Sequence, residues 1–176
     1  MKKEKSCFRV FFAWQDEKEE QWLNSMVQKG WYFKGYRKFR YHFEQGEPAD
    51  VIYKLDYKST SNKDLEEYKV IFKEAGWEHV DSFLGWHVFK GKAGERFSET
   101  LYSDRESNAQ KYKGLLLTTG LAFMSGLSVA TSLVFNDSFP HSSVGNFFKG
   151  FYTALLILLG VSLTLIYRKY RRLLSR

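Results

Sequence analysis

The chain has 176 residues, 44% of them hydrophobic and 18% aromatic, which suffices for one modest core plus a smaller unit. Its single cysteine, Cys7, excludes an intrachain disulfide and fits a reducing compartment. The formal charge of +7 is uneven: residues 1 to 110 carry 19 Lys/Arg and 19 Asp/Glu, so the whole excess lies further on, and a polyanion-binding domain in front is disfavoured.

The N-terminus MKKEKSCFRVFFAWQDEKEE starts basic, but its apolar stretch is short and runs into acids, so no signal peptide is expected. FRVFFAW, Phe8 to Trp14, reads as a strand. DEKEEQWLNSMVQKG follows as a helix with Trp22, Leu23, Met26 and Val27 on one face. Asp16 and Glu19 have capping-box spacing, and Gly30 offers a left-handed stop. The acids Asp16, Glu17, Glu19 and Glu20 would complement the dipole of that helix start.

WYFKGYRKFRYHFE, residues 31 to 44, reads as one long strand. Trp31, Phe33, Phe39, Tyr41 and Phe43 would face the core, and Lys34, Tyr36, Lys38, Arg40 and His42 would form a wet, basic face. That second set is the candidate interaction surface. KGYRKFRY partly fits an RNA-recognition signature, yet it falls on an edge strand and Arg37 and Lys38 occupy positions that need a small and an aromatic residue. No direct nucleic-acid partner is expected.

After the turn residues QGEPAD, VIYKLDY (Val51 to Tyr57) alternates as a strand. DLEEYKVIFKEAG then forms a second amphipathic helix through Leu65, Tyr68, Ile71, Phe72 and Ala75, ended by Gly76. A last strand region runs from Trp77 to Lys90 with a bend near Gly85. The order βαββαβ predicts an α+β domain of ferredoxin-like type over residues 1–92. Aligning Gly30-Trp31 on Gly76-Trp77 places Trp22 on Tyr68 and Met26 on Phe72, a sign of internal duplication. Each Trp is expected to pack in the core behind its glycine.

No catalytic, cofactor or metal set emerges. His42, His79, His87 and His141 lack zinc-ligand spacing, and there is no nucleophile elbow, P-loop or dinucleotide fingerprint, so an enzyme is not expected.

Residues 93–113 read as a linker and juxtamembrane helix, with Ser103 and Glu106 at capping-box spacing. From Gly114 to Phe135 no charge appears over a length that covers a bilayer core of about 30 Å. Residues 147–167 form a second span, with Lys149 snorkelling, and residues 136–146 are the loop between them. Lys111 and Lys113 before the first span, and Arg168, Lys169, Arg171 and Arg172 in the basic tail 168–176, place both termini in the cytoplasm by the positive-inside bias. Tyr112, Tyr152, Tyr167 and Tyr170 are expected interfacial anchors. Gly126 with Ala130, and Gly150 with Ala154, allow close helix approach, within the hairpin ahead of a homo-oligomer contact.

The passage EEQWLNSMVQKGW, then YKLDY, EAGW, LGWHVF and LYSD before a membrane hairpin, resembles the domain-of-unknown-function family 2812 over residues 5 to 110. The resemblance implies a bacterial membrane protein of a kind often encoded beside a PadR-like transcriptional regulator, and it carries over no catalytic residues. The expected function is a membrane-anchored cytoplasmic sensor or interaction module that regulates a protein partner, a PadR-like regulator being the one implied. The alternative is an accessory subunit of a transport or envelope-stress complex.

Overall fold

The computed structural model describes residues 3–59, 62–94, 105–135 and 143–175. Two compact units divide the chain, Met1–Lys111 and Tyr112–Arg176. In order, the elements are β1 (Glu4–Cys7), α1 (Asp16–Val27), β2 (Trp31–Arg37), β3 (Arg40–Gln45), β4 (Val51–Tyr57), α2 (Asn62–Glu74), β5 (Glu78–Phe83), β6 (Trp86–Lys92), α3 (Arg105–Phe135) and α4 (Ser143–Leu174).

The mixed α+β character holds, but among the described residues six strands in two three-stranded sheets replace the four strands of one ferredoxin-like sheet. The reason is local. Lys38 and Phe39 adopt φ of 50° and 61°, so the presumed strand 31–44 folds back as the β2–β3 hairpin. Leu84 and Gly85, at φ 50° and 82°, do the same between β5 and β6. The sheets have orders β1-β3-β2 and β4-β6-β5, all neighbours antiparallel. Each is therefore a split β-α-β unit, in which the third strand enters between two strands that point the same way.

The duplication hinted at by the Gly-Trp pairs extends to backbone detail. Gly30 and Gly76 are both left-handed (φ 76° and 83°), and each donates its N–H back to the helix it ends, to the carbonyls of Val27 and Lys73. Bulges interrupt β2 between Phe33 and Gly35 and β5 between His79 and Asp81. The same spacing, 30 to 76, relates the stops, bulges and hairpin turns, so one folding plan is used twice.

The first strand lies earlier than the sequence predicts: β1 is Glu4–Cys7, and residues 8–15 form the connection to α1. β1 is an outer strand, paired on one side only and mostly exposed, so it carries no apolar alternation and is polar, with Lys5 on it.

The core joins both halves. Leu23, Met26 and Val27 of α1 pack with Phe33, Tyr41 and Phe43 of the first sheet and Tyr53, Leu55 and Val88 of the second, while Tyr68, Phe72, Trp77 and Phe89 form a companion cluster. Trp77 is buried and Trp31 partly so, both as packing residues. Ile71 departs from its expected helix face and is 63% exposed.

The outer edge of β4 shows how polar residues on α1 are used. The N–H groups of Tyr53 and Leu55 donate to Asn24 Oδ1 (2.6 Å) and Glu20 Oε1 (2.9 Å). Four helical residues rise about 6 Å and two strand residues about 6.8 Å, so carboxylate and amide meet successive outward-facing donors. An edge that would otherwise leave buried donors unpaired is sealed.

In the second unit, a Cβ at Gly126 would come within 2.9 Å of Leu156, and the Tyr152 hydroxyl donates to the Gly126 carbonyl at 2.7 Å. Gly126 thus serves packing inside the hairpin, and Tyr152 serves it too. A Cβ at Gly150 would meet nothing within 4 Å. The hydroxyls of Thr118, Ser125, Thr131, Thr153, Ser162 and Thr164 all donate to carbonyls three or four residues back, which satisfies them without water. α4 starts at Ser143, inside the expected loop, and runs through the basic tail to Leu174. His141 and the capping pair's Ser103 fall outside the described residues.

Candidate functional site

Three polar constellations lie in the α+β unit. The first is built on the opening turn of α1. Asp16, Glu19 and Glu20 are all buried, although the sequence assigns them only the complementing of a helix dipole. Asp16 makes no capping box: the residue before it, Gln15, occupies the N-cap position without a side-chain cap bond, and its Oε1 accepts from the Phe12 N–H at 3.1 Å. Asp16 instead pairs with Lys111 at 2.9 Å, and the Lys111 ammonium also donates to the Leu55 carbonyl at 3.2 Å. Lys111 is only 7% exposed, so its ammonium is a buried ion-pair partner within the α+β unit. A buried ammonium persists only with such compensation.

Glu19 Oε1 accepts from both the Tyr36 and the Tyr41 hydroxyls, the latter at 2.9 Å. Burial raises the Glu19 carboxyl above its ordinary range despite those two donors, and it raises both phenols as well, with the Glu19 charge adding to the effect. Glu20 completes the group through Lys54 at 3.1 Å.

The second constellation follows from the β5–β6 pairing. His79 Nε2 and His87 Nδ1 each lie 2.7 Å from Ser82 Oγ, and His87 Nε2 lies 3.0 Å from the Lys58 carbonyl. A carbonyl only accepts, so His87 carries its proton on Nε2 and takes the Ser82 proton at Nδ1, and Ser82 accepts from His79. Burial lowers both imidazoles, which suits this neutral chain. Asp56, opposite His87 in the ladder, accepts from the Tyr68 hydroxyl through Oδ2, while its buried Oδ1 has no hydrogen-bond partner among the described residues. No group of three or more His, Cys, Asp or Glu able to hold a metal occurs among the described residues.

The third is a cleft of about 630 Å³ where β2 and β5 separate. Tyr32, Phe33 and Tyr53 supply aromatic wall, and the ion pairs Lys34–Glu44 (3.7 Å) and Lys90–Glu78 (3.0 Å) supply charge. Tyr53 accepts the Phe33 N–H at 3.0 Å, and burial pushes its phenol up to about 12.

The candidate interaction surface divides. Lys34, Lys38 and Arg40 are exposed and His42 is half-buried, its Nε2 3.3 Å from the Arg37 carbonyl. Tyr36 leaves that face: Lys34 is the extra residue of the bulge, so Phe33 and Tyr36 point the same way and the Tyr36 hydroxyl reaches Glu19. Phe39, placed in the core by alternation, sits at the turn, 83% exposed. Among the basic flanks, Lys113, Arg168, Arg171 and Arg172 are exposed, and Lys169 lies 5.2 Å above the Tyr112 ring. The sequence signal for the missed Asp16–Lys111 pair was absent, because its members are 95 residues apart.

Fold and site define a mixed α+β protein carrying two helices, Ala109–Thr131 and Ser143–Leu174, long and apolar enough to cross a membrane. The chain belongs to the family described as Protein of unknown function (DUF2812), whose model matches residues 15–124, from the residue before α1 into α3. No curated protein and no solved structure matches it.

Proposed function

We propose that the chain is a membrane-anchored sensor and interaction module: α3 and α4 hold it in the bilayer with both termini in the cytoplasm, and the α+β unit binds a signal and regulates a protein partner. The observation that carries this reading is the β2/β5 cleft, an aromatic pocket with two ion pairs at its rim, in a chain with two apolar helices exposed along most of their length. Aromatic walls with a few convergent polar groups are what small-molecule sites consist of. The PadR-like regulator implied by the family resemblance is the partner of this reading.

Packing of Gly126 against Leu156 favours a self-contained hairpin anchor over an accessory subunit that uses its helices for assembly. Exchange of residues 112–176 for an unrelated two-span anchor tests the choice. The sensor reading expects co-purification of the regulator from detergent-solubilised membranes to survive the exchange. Recovery of no regulator with the native chain contradicts that partner, and loss of recovery only in the exchanged chain favours the subunit.

A further inference from the structure

β2 and β5 run side by side in the same direction. Tyr32 to Lys34 face Glu78 to Val80 across the cleft, the Tyr36 N–H donates to Asp81 Oδ2, and the Tyr36 ring lies 5.7 Å from Phe83. Both hairpin turns therefore emerge at one end of the α+β unit. Phe39 is 83% exposed at one turn and Leu84 78% at the other, in left-handed conformations where a polar residue or glycine would normally stand. β1 also finishes here, since Cys7 pairs with Tyr41, and the segment after it exposes Phe8 and Val10.

Large apolar side chains concentrated at one end mark an interaction surface. Its charge names the partner. Arg37, Lys38 and Arg40 flank Phe39 in the chain and are exposed, and the Asp81 carboxylate accepts from the Tyr36 N–H. Lys111, the last residue of this unit, is fixed at the same end by Asp16 at the start of α1. The apolar stretch of α3 follows directly in the chain. Aromatic and aliphatic tips ringed by cations suit an anionic bilayer surface, into which the rings dip while the cations meet headgroup phosphates.

We infer that the paired hairpin tips, Phe39 with Leu84, form a second membrane contact that docks this end of the α+β unit on anionic lipid. The inference rests on the reading of α3 and α4 as spans. The full-length chain, with Cys7→Ser and an environment-sensitive fluorophore on Phe39→Cys, or on Leu84→Cys with Phe39 intact, is placed in nanodiscs of phosphatidylcholine with or without phosphatidylglycerol. A label on Ile71→Cys of α2 is the control. Both tip labels are expected to shift to the blue and to be quenched by brominated acyl chains in anionic discs only, with position 71 remaining aqueous. Arg37→Glu, Lys38→Glu and Arg40→Glu together should abolish the shift at position 84 while the chain stays in the discs. Tip labels that behave like position 71 in both discs overturn the docking but leave the anchor intact. A chain that never enters the discs removes the anchor and the docking together.

Discussion

Replacement of Lys111 by Met removes the ammonium held by the Asp16 carboxylate at 2.9 Å and the Leu55 carbonyl at 3.2 Å, leaving Asp16, itself 2% exposed, with its principal counter-charge gone. Breaking a buried pair from one side costs about 3–5 kcal/mol, a large fraction of a total stability of about 5–15 kcal/mol. Replacing both partners with apolar residues of similar size often costs far less, since no buried charge is then stranded. The expected pattern is thus a strongly destabilised Lys111→Met and a recovery of about 2 kcal/mol or more in Asp16→Leu with Lys111→Met. All five tryptophans, Trp14, Trp22, Trp31, Trp77 and Trp86, lie in the α+β unit, so urea unfolding of the detergent-solubilised chain read by tryptophan emission reports on that unit. A Lys111→Met cost below about 1 kcal/mol, the range of an exposed ion pair, would refute the reasoning.

Glu19 is raised by burial, so the folded unit holds its proton more tightly than the unfolded chain. Stability should fall as pH rises from the ordinary value near 4.5 through the raised one, and Glu19→Gln should flatten that fall in urea midpoints measured from pH 4 to 7. His79 and His87 are lowered from 6.5, so the unfolded chain takes up their protons first and stability should drop as pH falls below 6.5. Neutral replacement by His79→Asn with His87→Asn should remove that acid-side slope even where it lowers stability at pH 8. Gly30→Ala meets both a φ of 76° and a Cβ position 2.5 Å from the Gly46 carbonyl oxygen, so a loss of about 1–3 kcal/mol in the same unfolding assay is expected.

What the sequence makes legible here is whatever depends on neighbours along the chain. The helix faces through Leu23, Met26, Val27, Tyr68 and Phe72, the glycine stops at 30 and 76, and two long apolar blocks all follow from local periodicity and backbone preference. The Lys38-Phe39 turn was hidden because neither residue favours positive φ, so alternation ran straight through it and put Phe39 inside. The bulge at Lys34 hid the true direction of Tyr36 for the same reason, since one extra residue reverses every later side chain. The polar site needed tertiary information: Asp16, Glu19 and Glu20 look like a dipole-complementing first turn until Lys111, Tyr36, Tyr41 and the β4 edge are brought onto them. Likewise, Lys111 has the charge of a topology anchor and the environment of a core residue.

The bilayer anchor is tested most directly by topology mapping of the full-length chain, with a dual-compartment reporter fused in turn before Met1, within residues 136–142 and after Arg176, combined with alkaline carbonate extraction of the membranes. The account predicts a chain that resists extraction, cytoplasmic signal from both ends and external signal from the middle site. A carbonate-soluble chain, or external signal from the fusion after Arg176, would contradict it.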